Sequence, residues 1–593
     1  MLCFQARKSV PRLAALFALA VLAACGGSSG SGPSTPAAND PTPAPAPAPA
    51  PSPSPMPPPV ASAGIMIETE EEAVRFLTMA TFGGRPEEID ALVGQEIEDW
   101  IAAEIAKPAT LYLPRVVPLT SEDDRDTNNV FREEVWKAFI ENDDQLRTRM
   151  TFALSQIVVA NARIGGNIGD RRAAFYVDAI ARNAFGNYRD LLDDVTYTPL
   201  MARFLTYMQN RKADPARGRM PDENYAREIM QLFSIGLIEL NMDGTPRLDA
   251  NGEEIETYDN SDVEGLARVF TGLNPKGGNF FNDADVDAEY APLVMDDNQH
   301  SPLEKTFLGA TIPAGTPGNE SIDQALDIIF NHPNVPPFIA RQLIQRFTAP
   351  NPAPEYVERV ATAFATGTYV SEGGQSFGTG QRGSLAATIA AVLLDETNFD
   401  EPLQASEGNG KVREPVINFV HYVRAFRTTE IDPDNEFQLS DTRSAADRLA
   451  QMPFRAPSVF NFYRPGFVPP GTEAGQQGLT VPEFQIVNDG SAVGYTNFMT
   501  RFVFDESPGP QNNTTFNPNY TDEILLADDA GALADHLDVL LTGGRMEAAT
   551  RTDIVETLDA FPIRDGSEDD DRLKRVKLAV LITVNAPSYR IQR

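Results

Sequence analysis

The chain has 593 residues, with 84 acids against 49 basic side chains and a formal net charge of −35. So negative a surface repels nucleic acid and anionic head groups, and suits high ionic strength, divalent cations or cationic partners. Only two cysteines are present, which limits thiol chemistry and disulfide stapling from the outset.

At the N-terminus Arg7, Lys8 and Arg12 precede the apolar run Leu13 to Leu22, followed by Leu22-Ala23-Ala24-Cys25. A positive start, a short apolar segment and small residues before cysteine make a lipoprotein signal peptide with a lipobox. Ten apolar residues are too few for a mature membrane-spanning helix. Residues 1–24 are therefore expected to be cleaved and Cys25 lipidated. Removal of the signal peptide makes the net charge three units more negative, because it carries three basic residues and no acid. Cys3 leaves with the signal peptide, so the body keeps no free thiol. Cysteine nucleophiles, redox CxxC pairs and thiolate zinc sites are thereby excluded.

Residues 25–62 read as a disordered linker rich in Pro, Ala and Ser, including the run PAPAPAPAPSPSPMPPP. Such a segment is a semi-rigid polyproline spacer, and 28 extended residues reach on the order of 85 Å. Gly26 to Gly30 match G-x-S-x-G, but no strand precedes them and no helix follows, as a nucleophile elbow requires.

Residues 63–593 read as one mainly α unit, a large irregular multi-helix domain with a small β-hairpin excursion. Ser261-Asp262-Val263-Glu264 spells a capping box ahead of Leu266, Val269, Phe270 and Leu273, with Gly272 at the expected helix end. Ser321 to Gln324 spells a second helix start, stopped at His332-Pro333. Between helices expected at 223–235 and 262–271, the dipeptides Asp243-Gly244 and Asn251-Gly252 mark tight turns of the hairpin excursion. A break near 401–410, at the polar loop 405–410, is the one internal division the sequence leaves open.

Catalytic residue types are sparse. There are four histidines, His300, His332, His421 and His536, and no HExxH, phosphate loop or dinucleotide fingerprint. The most suggestive segment is Pro221 to Phe233. At helical spacing Tyr225, Ile229, Leu232 and Phe233 face one way, while Asn224, Glu228 and Gln231 face another and Arg227 can reach Glu223. Glu228 is a candidate base or cation ligand oriented by Asn224 and Arg227. The same residues also make a buried polar network locking two helices, and that structural reading is the favoured one. The second candidate is Asp296-Asp297-Asn298-Gln299-His300 with Lys305. There Asp297 and His300 are candidate ligands for a divalent cation, and a solvated turn is the competing reading.

These segments carry a resemblance. Arg75 to Gly83, Asp144 to Met150, Phe185 to Leu192, Glu223 to Glu228, Asp262-Val263, Thr271-Gly272, His300 with Lys305 and Leu308-Gly309, Arg413 to Val416, and Pro453-Phe454 with Pro457-Ser458-Val459 together resemble the large bacterial family catalogued as domain of unknown function 1800. The resemblance implies a largely helical exported protein, often encoded beside a member of another uncharacterised family, number 1501. It implies no catalytic residue. The resulting expectation is a lipid-anchored protein of the outer membrane or cell surface. It would be a binding or assembly component of the envelope, with a co-exported protein of family 1501 as a candidate partner. A metal-assisted envelope hydrolase using the 223–231 helix and the 296–305 loop is the alternative.

Overall fold

Helices whose residues are apolar all round belong in a core, and helices with one apolar stripe belong around it. The chain follows that division. In a computed structural model, residues 64–119, 130–162, 169–277, 290–404, 409–427, 429–430, 439, 441–504 and 516–593 are described. The expected signal peptide, Cys25 and the linker lie outside these residues, as do 405–408 of the polar loop.

Every residue is buried in three helices, Gln145–Ser155, Leu385–Leu393 and Pro415–Ala425. The second, LAATIAAVL, is small and apolar throughout, so neighbours can approach from every side. The first instead carries Arg147, Arg149 and two threonines into the interior, and several of its polar groups donate to backbone carbonyls. Arg147, for example, donates to the carbonyls of Ile105, Lys107 and Ala181 at 3.0–3.3 Å, satisfying carbonyls at and beyond the end of the Ile97–Ala106 helix.

Around this centre lie amphipathic helices. Glu70–Ala80 begins with Thr69, whose side chain accepts from the Glu72 amide at 3.3 Å, and has three acids in its first turn, where the helix dipole favours them. It buries Val74, Phe76, Leu77 and Met79. Aromatic rings tie distant segments together. Phe82 stacks on Phe139 at 4.2 Å, and Phe152 meets Phe139 edge-on at 5.3 Å. Phe419 receives Trp136 at 5.8 Å and Phe502 at 4.8 Å. Each such pair contributes about 0.5–1.5 kcal/mol beyond area burial.

The strands described are short and pair only in twos, all antiparallel. Lys305–Phe307 and Ala310–Ile312 join through Leu308 and Gly309, both at positive φ (48° and 72°), as a two-residue hairpin turn demands. The Asp262 carboxylate accepts the Leu308 amide at 2.7 Å and holds this turn. Against the same hairpin lies the Asn260–Ala267 helix. A Cβ at Gly265 would sit 1.8 Å from the Thr306 carbonyl oxygen, so only glycine permits that approach. Ile591–Gln592 pair with Lys411–Val412, with Ile591 opposite Val412, and so seat the final residues beside the buried Pro415–Ala425 helix.

Residues Ala61–Arg593 form one compact unit, undivided at 401–410. Among the described residues no helix is long and apolar enough to cross a membrane. Two helix starts differ from expectation. The helix expected from Ser261 begins at Asn260, capped by Asp259 paired reciprocally with Asp262; aspartate caps as well as serine. The helix expected from Ser321 begins at Gly318, leaving Ser321 buried within it. The hairpin excursion has the expected turns, with φ of 76° at Gly244 and 82° at Gly252. Its pairings are isolated bridges, Ile238 with Glu256, Leu240 with Pro246 and Leu248 with Glu254.

Candidate functional site

The Asn224–Gln231 helix turns Tyr225, Ile229 and Met230 inward. Tyr225 stacks on Tyr207 at 4.2 Å and shares a 2.7 Å hydrogen bond with Thr196, which fixes the helix's rotation. The polar stripe follows from that rotation. Asn224 is exposed and donates to the Thr206 hydroxyl at 2.8 Å, while Arg227 pairs with Glu223 at 3.4 Å, one turn away. Glu228 is half-buried, and its Oε2 is shielded from solvent with no hydrogen-bond partner. Burial raises the Glu228 carboxyl above its ordinary value, opposed by Arg227. The hydroxyl of Tyr258 is likewise buried without a partner, and burial pushes it up to about 12. It feels the charges of both Arg227 and Glu228. The stripe therefore differs from the interhelical network expected of it: its bond to a neighbouring segment runs from Asn224, and Glu228 holds a proton-accepting oxygen in reserve.

The second segment is built differently. Asp297 accepts the Gly318 amide at 2.8 Å, at the first residue of the Gly318–Phe330 helix, and so serves as a capping group. Asp296 accepts the Asn298 amide at 3.0 Å. The ring of His300, buried, donates from Nδ1 to the Thr271 carbonyl at 2.8 Å, leaving Nε2 to accept from Ser321 at 3.3 Å. Burial lowers its pKa, although the Thr271 bond opposes this. Lys305 is buried too and donates to the Leu303 carbonyl at 3.2 Å. Asp297 and His300 thus both bond to the Gly318–Phe330 helix, Asp297 at its first amide and His300 at Ser321, and His300 alone also reaches Thr271. Among the described residues no group of three or more His, Cys, Asp or Glu is gathered as a metal site requires.

Hydrogen bonds through Asn210 connect the two segments. Its side chain accepts the Asp222 amide at 3.0 Å, its carbonyl accepts Gly272 at 2.8 Å, and Gly272 in turn accepts Asp296 at 2.8 Å. A ligand-sized cavity of about 400 Å³ lies between Phe76, Tyr356, Phe399 and Gln592, lined by neither Glu228 nor His300.

A third polar centre went unnoticed in the sequence. Arg149, Arg346, Lys411, Glu414, Tyr463 and Glu483 are all buried. Lys411 pairs with Glu483, and Glu414 Oε2 accepts from Gln156 at 2.8 Å and from Gln451. Burial lowers both arginines, opposed by Glu414 and Glu483, and pushes Tyr463 well up. Arg149 Nε and Nη1, Glu414 Oε1 and Glu483 Oε2 remain without partners. Arg149 and Glu414 lie in segments singled out above for resemblance, which was the available signal. Nothing local joins them, since Gln156 and Glu414 are 258 positions apart.

Residues 75–591 match the family described as "Protein of unknown function (DUF1800)". The chain belongs to that family. The match starts at Arg75, in the first described helix, and ends at Ile591, in the last strand, so it spans the helical core, the Glu228 stripe and the buried charge centre alike. No curated protein and no solved structure matches the chain.

Proposed function

We propose that this DUF1800 member is an exported, lipid-anchored binding or assembly component of the cell envelope. The signal sequence, Cys25 and the proline-rich spacer support the anchoring. The observation that carries the binding role is the segment 237–257. It has six acids against the single Arg247 and exposes Leu237 and Leu248 (52% and 57%). Its base is pinned by buried Asn334, which donates to the Ile235 and Ile238 carbonyls at 2.8 and 2.7 Å and accepts the Leu240 amide at 2.8 Å. A rigid surface loses little entropy on binding, and apolar points among acids suit a basic partner. The neighbouring product of family 1501 is the candidate.

Fractionation and capture test both parts. Cys25→Ala should move the protein from membranes to the soluble fraction; a mutant that stays in membranes counts against the anchor. In gentle detergent extracts the neighbouring protein should co-purify, and Leu248→Asp should weaken recovery. A monomeric body that recovers no partner from either bait overturns the binding reading.

Glu228, whose Oε2 is unpartnered and whose pKa burial raises, favours a second reading, hydrolysis assisted by a divalent cation, with Glu228 as acid or base. Turnover of ester, glycoside or peptide reporters, dependent on added cation and abolished by Glu228→Gln, is its expected signature. Equal turnover by wild type and Glu228→Gln removes it.

A further inference from the structure

Where the first helix meets the C-terminal strand, a small cavity of about 20 Å³ is lined by Thr78, Arg75, Arg413, Arg545 and Ser588, among others. That is room for one water-sized particle and too little for a phosphate. Four of the lining residues each carry a polar atom that is buried and has no partner in the protein: Thr78 Oγ1, Ser588 Oγ, and the Nε of Arg413 and of Arg545. Each of the four can donate a hydrogen bond, and the two Nε groups can do nothing else.

The charges point the same way. Arg413 is 3% exposed. Its other nitrogens donate to His421 Nδ1 at 2.8 Å and to the Tyr589 carbonyl, and its guanidinium lies 4.4 Å over the Tyr589 ring. None of these contacts carries a negative charge. The carboxylate nearest the other two arginines, Glu401, is shared: Arg545 reaches it at 2.7 Å and Arg75 at 3.5 Å, and it is 59% exposed. A buried cation normally has a counter-charge, and buried donors without acceptors mark the place of a water or ion.

We propose that this cavity binds a single chloride ion, held by the Nε–H groups of Arg413 and Arg545 and the hydroxyls of Thr78 and Ser588. The ion would neutralise Arg413 and tie the first helix to the chain's last residues, a role independent of the proposed function.

The test is thermal unfolding of the purified body in sodium chloride against sodium gluconate at matched ionic strength. The melting temperature should rise saturably with chloride and not with gluconate. In the near-isosteric Thr78→Val/Ser588→Ala double variant, the half-saturating chloride concentration should rise at least about tenfold, as loss of two bonds to an ion implies. Crystals of the wild-type protein in sodium bromide should show an anomalous peak in this cavity, a readout that needs no variant to fold. Equal melting temperatures in the two salts, an unchanged chloride response in the double variant, or an ordered water only at that position would each overturn the proposal.

Discussion

Arg149 donates to the backbone carbonyl of Arg346 at 2.6 Å, so two arginines share one buried centre and depend on Glu414 and Glu483 for opposing charge. Removing one member of such a set leaves the others buried without compensation. Glu414→Ala should therefore destabilise the body by about 3–5 kcal/mol, read as a lowered urea midpoint. Glu414→Gln should cost less, because its amide oxygen still accepts from Gln156 and Gln451. A Glu414→Ala protein with the wild-type midpoint would show that the centre does not hold the fold.

Asp297 gives a smaller, local prediction. Its bond to the Gly318 amide satisfies one donor at the start of a 13-residue helix. Asp297→Ala should cost about 1 kcal/mol and Asp297→Asn only a few tenths. Retention of divalent cation by wild type and its loss in Asp297→Asn, with stability unchanged, would instead make Asp297 a ligand.

His300 sets a pH dependence. Its folded pKa lies below the ordinary histidine value because burial disfavours the charged ring. As pH falls through about 6.5 the unfolded chain takes up a proton that the folded ring refuses. The stability associated with His300 is thus present above that pH and declines below it. The fall in melting temperature from pH 7.5 to 5.5 should be smaller in His300→Asn than in wild type. An identical fall in both proteins would mean that the ring is protonated equally in the two states.

Glu228 is expected to behave as a held-back acid. Its Oε2 has no partner, and burial raises its pKa. Glu228→Gln removes a charge whose desolvation is not offset by a hydrogen bond, so at pH 7 it should leave stability unchanged or raise it. A melting temperature lowered by several degrees would restore the helix-locking role that the residue pattern suggests.

The fold class was legible because apolar spacing is a local signal. The faces of the helices containing Tyr225 and Leu266 follow from residues three and four apart, and the turns at Gly244 and Gly252 from neighbouring Asp and Asn. Helix starts were less legible: Asp259 and Ser261 both suit a cap, and only the packing against Thr306 and Leu308 selects the first. The sites were least legible. Asp297 and His300 stand three residues apart and look like a pair, yet one caps a helix and the other is clasped between Thr271 and Ser321. Conversely, Arg149, Arg346, Glu414 and Glu483 form one centre from four remote segments, and no spacing rule unites them.

The pairing of Ile591–Gln592 with Lys411–Val412 sets a timetable. Ile591 and its partner Val412 stand 179 positions apart (591 minus 412), and long-range closure of this kind comes late in folding. Until then Lys411, Arg413 and the aromatic face of the 415–425 helix lack their final cover.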